Sequence, residues 1–158
     1  AAAVGGASQV TSVDLSGNFL DWGKEIFSLN SLEPQRYEFF KQDCVLFLGG
    51  ALKRKRQFDL IICDPPSFAR FSSGKKKEVF KLDKDIGNLI GLCFDVLAEK
   101  GTLLFSCNFE KWTEQDFLTE VKKALKGKKV TIELADAGLD FEKPNDEPLM
   151  KAVWIKRL

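Results

Sequence analysis

Apolar and polar positions along this chain follow two rhythms that take turns. "VTSVDLS" (10–16) is a short β-branched run ending on Asp14, which predicts a strand. "GNFLDWGKEIFSLNSL" then spaces Phe19, Leu20, Trp22, Ile26, Phe27 and Leu29 at three and four, which predicts an amphipathic helix despite Gly23. "RYEFFKQD" predicts a second strand ending near Asp43, and "CVLFLGGALKRKR" a short helix closed by basic residues. Phe58 to Cys63 is apolar enough to predict a strand buried on both faces, ending on Asp64. "DKDIGNLIGLCFDVLAEKG" repeats Ile86, Leu89, Ile90, Cys93, Phe94 and Leu97 at helical spacing, with Gly101 at its exit. "TLLFSCN" predicts another doubly buried strand ending near Cys107, and "TEQDFLTEVKKAL" a helix whose start is capped by Thr113 and Asp116. "VTIELADAGLD" and "PLMKAVWIKRL" read as a closing antiparallel pair, and "AAAVGGASQ" as the last turn of a helix with a glycine exit.

Strands alternating with helices, and strands without a wet face, predict an α/β fold: a doubly wound, mostly parallel sheet with an antiparallel C-terminal hairpin. The length of 158 residues suits one domain, 1–158, and the helical tail at Ala1 marks it as a fragment of a longer chain. Ligands of such sheets sit outside the carboxyl ends of the strands, where Asp14, Asp43, Asp64 and Cys107 all fall. The stretch "PPSFARFSSGKKK" is long, basic and aromatic, a candidate lid beside them.

Charge and cysteine usage narrow the picture. With 24 Lys and Arg against 23 Asp and Glu the net charge is +1, so polyanion binding must come from local patches such as "KRKR" (53–56), "GKKK" (74–77) and "KKALKGKK" (122–129). Four scattered cysteines and no histidine argue against a structural metal. Nothing resembles a signal peptide or a spanning segment, so a cytoplasmic setting with free thiols is expected.

Each strand-end residue has a plain alternative. The aspartates suit N-caps of the next helices, and a buried cysteine is more often packing than nucleophile. Capping alone, however, does not ask for Pro65 and Pro66 after Asp64. Two prolines fix their own φ angles and hold the backbone stiff with few spare N–H groups, a frame on which a flat base can be gripped. Asp64 would offer a carboxylate beside the base, and Phe68 an aromatic face, with Phe71 and Trp112 as further stacking candidates. A carboxylate at the end of the second strand of a dinucleotide fold accepts ribose hydroxyls, the role expected of Asp14.

"VDLS", "QDC", "FDLIICDPPSF" and "LLFSCN", in this order and spacing, resemble motifs of the class I S-adenosylmethionine-dependent methyltransferases. The Asp-Pro-Pro-Ser-Phe form followed by Ser-Cys is similar to the bacterial large-subunit ribosomal RNA (cytosine-C5)-methyltransferases, as is the tail "PNDEPLMKAVWIKRL". The resemblance implies S-adenosylmethionine as cofactor, held by Asp14, Leu15, Asp43, Cys44 and Asp64, with the glycine-rich turn and first central strand expected upstream of Ala1. It implies ribosomal RNA as substrate, met by Pro65, Pro66, Phe68, Lys75 and Lys76. It also implies Cys107 as the nucleophile that adds to cytosine C6, with Asp64 on the N3 and amino edge. Two rivals share the scaffold. One is guanine nitrogen methylation with Cys107 inert, and the other is a non-catalytic RNA-binding remnant.

Overall fold

The computed structural model describes residues 1–73, 76–135 and 150–158, the side chains of 70–78 excepted. The order is β1 (Thr11–Asp14), α1 (Gly17–Leu29), a single 3-10 turn (Pro34–Arg36), β2 (Glu38–Lys41), α2 (Cys44–Lys53), β3 (Phe58–Cys63), β4 (Phe68–Ser73), β5 (Lys76–Lys81), α3 (Leu82–Asp95), β6 (Leu97–Cys107), α4 (Glu114–Ala124), β7 (Val130–Leu134) and β8 (Lys151–Arg157). The chain forms two compact units, Ala1–Gly50 and Ala51–Leu158.

The first unit opens on a turn that closes as helix ends do. Gly6 has φ +90°, its N–H donates to Ala3 O at 3.1 Å, and the Ala7 N–H donates to Ala2 O at 3.1 Å. Only glycine adopts that φ without strain. β1 and β2 pair in parallel, Thr11 opposite Glu38 through Asp14 opposite Lys41. Ser16 caps α1 by accepting from the Phe19 N–H. Phe27 reaches back to Tyr37 and Phe39, with ring centroids at 4.8 and 5.5 Å. The expected apolar stripe is otherwise outward: Leu20 is buried, while Phe19, Trp22, Ile26 and Leu29 are exposed.

In the second unit the sheet order is β3-β6-β8-β7, parallel between β3 and β6 and antiparallel on both sides of β8. Side chains alternate across a strand, so the register sorts them into two faces. Leu103, Phe105 and Cys107 of β6 share one face with Val153 and Ile155 of β8, all fully buried. α3 adds Ile86, Leu89, Ile90 and Cys93 to this core, and α4 adds Phe117, stacked on Phe105 at 6.3 Å, and Val121. Full burial of each such side chain contributes roughly 1.5–3 kcal/mol.

The opposite face is open along β3, which corrects the expectation that this strand is buried on both sides. Leu60 is 47% and Ile62 61% exposed, because β3 lies at the edge of this sheet and α3 and α4 cover the other face. A second correction concerns α3, which ends at Asp95 with Val96 as its C-cap and not at Gly101; residues 98–101 bulge out of β6 beside β3. The third concerns the expected loop after Pro66. β4 and β5 pair antiparallel from Phe68 opposite Lys81 to Ser73 opposite Lys76, making an extended hairpin. The closing strands β7 and β8 are as expected, while the "PNDEP" stretch (144–148) lies outside the described residues.

Candidate active site

The parallel register places Cys63 beside Phe105, so the next positions along, Asp64 and Ser106, come out on the same face, away from the core under α3 and α4, with Asp64 exposed and Ser106 buried. The Ser106 hydroxyl donates to Asp64 Oδ1 at 2.8 Å. One turn further on, the Ser67 hydroxyl donates to Asn108 Oδ1 at 3.0 Å. Two side-chain bonds thus fasten the Asp-Pro-Pro-Ser segment to the end of β6. Pro65 is buried beneath it, while Asp64, Pro66 and Phe68 are exposed at the carboxyl edge of the sheet.

Cys107 belongs to the other face. It is 0% exposed and sits opposite Lys151 of β8. Burial pushes its thiol above the ordinary value of 9.0; the Phe109 N–H and the Lys151 ammonium pull it down, and Asp64 pushes it up. Asp64 and Cys107 therefore lie close enough to feel one another, but the sheet directs the carboxylate to solvent and the thiol into the helix-covered core. Lys151, 2% exposed, donates from Nζ to Phe109 O at 3.3 Å and so holds the loop that follows Cys107. Phe109 and Trp112, the latter expected as a wall of the base pocket, pack edge to face at 4.9 Å. Cys63 is raised further, first by its hydrogen bond with the Cys93 thiol and then by burial.

In the first unit, Asp14 Oδ1 accepts from the Ser16 N–H at 2.6 Å, and Asp43, nearly buried, caps α2 by accepting from the Leu46 N–H at 2.9 Å. The capping reading is thus realised at Asp43, whereas α1 is capped by Ser16 and Asp14 instead holds the backbone of that cap residue. Asp14 also borders a depression of about 180 Å³ lined by Ser12, Val13, Phe19, Leu20, Gly23 and Phe39. A carboxylate set among apolar and aromatic walls at a strand's carboxyl end has the chemistry to receive a nucleoside. Leu15 is exposed beside it, and Cys44, half-buried, starts α2. Lys75 lies outside the described residues, as do the side chains of Phe71 and Lys76. Among the described residues no group of His, Cys, Asp or Glu is arranged to hold a metal, and no helix is long and apolar enough to cross a membrane.

Ser106, Ser67, Asn108 and Lys151 were not singled out by sequence. Counting alternate positions from Phe105 separates Ser106 from Cys107, but in an apolar strand no polar rhythm says which face is open.

The family described as S-adenosylmethionine-dependent methyltransferase matches residues 1–148. The chain is similar, at 34% identity over 98% of its length, to ribosomal RNA large subunit methyltransferase K/L of Shewanella sp. (strain MR-4), of which it spans 21%. It is 37% identical over 75% of its length to ribosomal RNA large subunit methyltransferase K of Neisseria meningitidis serogroup B, spanning 33% of that relative. The crystal structure of SMU.776 complexed with SAH superposes with a TM-score of 0.86 and 31% identity over 98% of this chain and 40% of that one. A SAM-dependent methyltransferase from Agrobacterium tumefaciens, at 24% identity and TM-score 0.73 over 99% of this chain and 50% of that one, shares the fold. With its Rossmann-like α/β architecture and a family match running from Ala1 through residue 148, this chain belongs to the S-adenosylmethionine-dependent methyltransferases.

Proposed function

We propose that this chain is the transfer module of an enzyme that methylates a base of large-subunit ribosomal RNA, and that the methyl acceptor is a ring or exocyclic nitrogen of guanine. The relatives named for large-subunit rRNA support the substrate. The single observation that carries the choice of acceptor is the division of the sheet end into two faces. Asp64 stands exposed on its Pro-Pro frame, held by Ser106, whereas the Cys107 sulfur is sealed in the core and kept protonated.

S-adenosylmethionine, when bound, supplies an electrophilic methyl group. Asp14 would accept the ribose hydroxyls with the oxygen it does not give to Ser16, Leu15 and Cys44 would meet the adenine, and Asp43 would receive its amino group. Asp64 takes the N–H of the target guanine on its second oxygen, since Oδ1 is committed to Ser106. This would hold the nitrogen lone pair in line for the methyl, the sulfonium leaving as a neutral thioether, and the proton shed by the methylated nitrogen would pass to the Asp64 carboxylate. Pro65 and Pro66 keep the carboxylate from swinging away. Phe68 would stack on the base, and Lys75 and Lys76 are assigned to its phosphates by their charge alone.

A second reading retains cytosine C5 as acceptor, with Cys107 adding to C6. The Lys151 ammonium, which lowers the thiol pKa, favours it. That route requires the sulfur to reach the open face as a thiolate. Cys107→Ala separates the two: turnover within about threefold of wild type is expected for nitrogen transfer, and a loss of about a thousandfold or more would establish the thiol as nucleophile.

A further inference from the structure

Basic side chains gather at the pole of the second unit opposite Asp64. The four strands of its sheet run so that the start of β3, the start of β6, the end of β8 and the start of β7 meet along one edge. Each brings cations there. The run Lys53–Arg56 leads into β3, Lys100 sits in the β6 bulge, Lys156 and Arg157 end β8, and Lys126, Lys128 and Lys129 lead into β7. Four strands at about 4.8 Å spacing give a row roughly 14 Å long. The acidic residues at this edge are Asp59, Asp95 and Glu99, and Asp95 is bound to Lys128 at 3.0 Å. In a chain of net charge +1, this separation of charge is local and directional.

Some of these cations build the edge. The Arg157 guanidinium donates to Leu97 O at 2.6 Å and lies over the Phe94 ring, with Lys128 over the same ring, while Arg56 lies over Phe58 at 4.9 Å. Lys53, Lys55, Lys100, Lys126, Lys129 and Lys156 are exposed. Lys55 and Lys100 hold φ of +55° and +61°, a region where a lysine costs about 1 kcal/mol relative to glycine. Among the described residues, two of the three non-glycine residues in that region are lysines on this edge. Cationic side chains thus stand where the backbone favours a glycine.

We propose that this edge binds the phosphate backbone of the RNA substrate at a distance from the methylated base, so that one substrate is held at both poles of the sheet. The inference rests on the rRNA reading above. The test is fluorescence anisotropy with a labelled fragment of large-subunit rRNA across a salt series, comparing wild type with the triple variant Lys126→Ala, Lys129→Ala, Lys156→Ala; thermal melting verifies the fold. Three lost phosphate contacts should weaken binding roughly tenfold and flatten the slope of log affinity against log salt by about 2. Unchanged affinity and slope in a folded triple variant would overturn this surface alone. A wild type that binds no RNA at low salt, or prefers phosphatidylserine vesicles to RNA, would overturn the surface together with the rRNA reading.

Discussion

Ser106 fixes the direction of the Asp64 carboxylate. A carboxylate at a strand end has a free rotor, and a 2.8 Å bond from a neighbouring hydroxyl removes that freedom before substrate arrives. Ser106→Ala should lower kcat by about ten- to a hundredfold with KM for S-adenosylmethionine unchanged, since a hydrogen bond to a charged group contributes about 1.5–3 kcal/mol. Steady-state kinetics checks this. The buried thiols set a pH limit on stability. Cys63 and Cys107 keep their protons in the folded state above the ordinary thiol value of 9.0, whereas the unfolded chain loses them there. Below that value both states are protonated and the stabilisation is complete; above it the unfolded state binds fewer protons, and stability falls as pH rises. The melting temperature should therefore drop more steeply above about pH 9 in wild type than in Cys107→Ala. At this scale the sequence was legible where a residue breaks a pattern, as Asp64 and the prolines do. It was silent on Lys151, because a lysine buried at 2% exposure looks in sequence like any surface lysine.

Elements followed from periodicity wherever the local signal was strong. Thr113 and Asp116 form the reciprocal capping box that their spacing predicts, each bonding the other's backbone N–H, and Asp116 is held below the ordinary carboxylate value chiefly by the Thr113 N–H. The β4–β5 hairpin was not legible, because Phe68, Arg70 and Ser72 alternate with Ala69, Phe71 and Ser73 without one apolar face, and pairing between the strands supplies what the pattern lacks. The α3–β6 boundary was misplaced because Gly101 looks like a helix exit. Its role is close approach instead: a Cβ there would lie 2.8 Å from Ala98 O and 2.9 Å from Leu97 Cγ. Gly101→Ala should cost about 1–3 kcal/mol in urea unfolding. Gly87→Ala, inside α3 with nothing within 4 Å of the new methyl, should stabilise by up to about 1 kcal/mol.

At the scale of the whole molecule, alternating strands and helices gave the α/β class, and the observed elements and the superposition on SMU.776 bear it out. Exposure did not follow the apolar pattern. Trp22, Ile26 and Leu29 of α1 and Leu60 and Ile62 of β3 read in sequence as core, yet they are open to solvent among the described residues. An apolar pattern reports what a segment is suited to bury; which surface covers it depends on long-range packing that periodicity does not encode.

The proposed function rests on one division, an exposed, hydrogen-bonded carboxylate at the end of β3 and a buried thiol in the core. The most direct measurement is nucleoside mass spectrometry of unmodified large-subunit rRNA after incubation with S-adenosylmethionine and the protein. A methylguanosine that appears with wild type and Cys107→Ala, and is absent with Asp64→Ala, is the predicted result. A 5-methylcytidine that depends on Cys107 would contradict it.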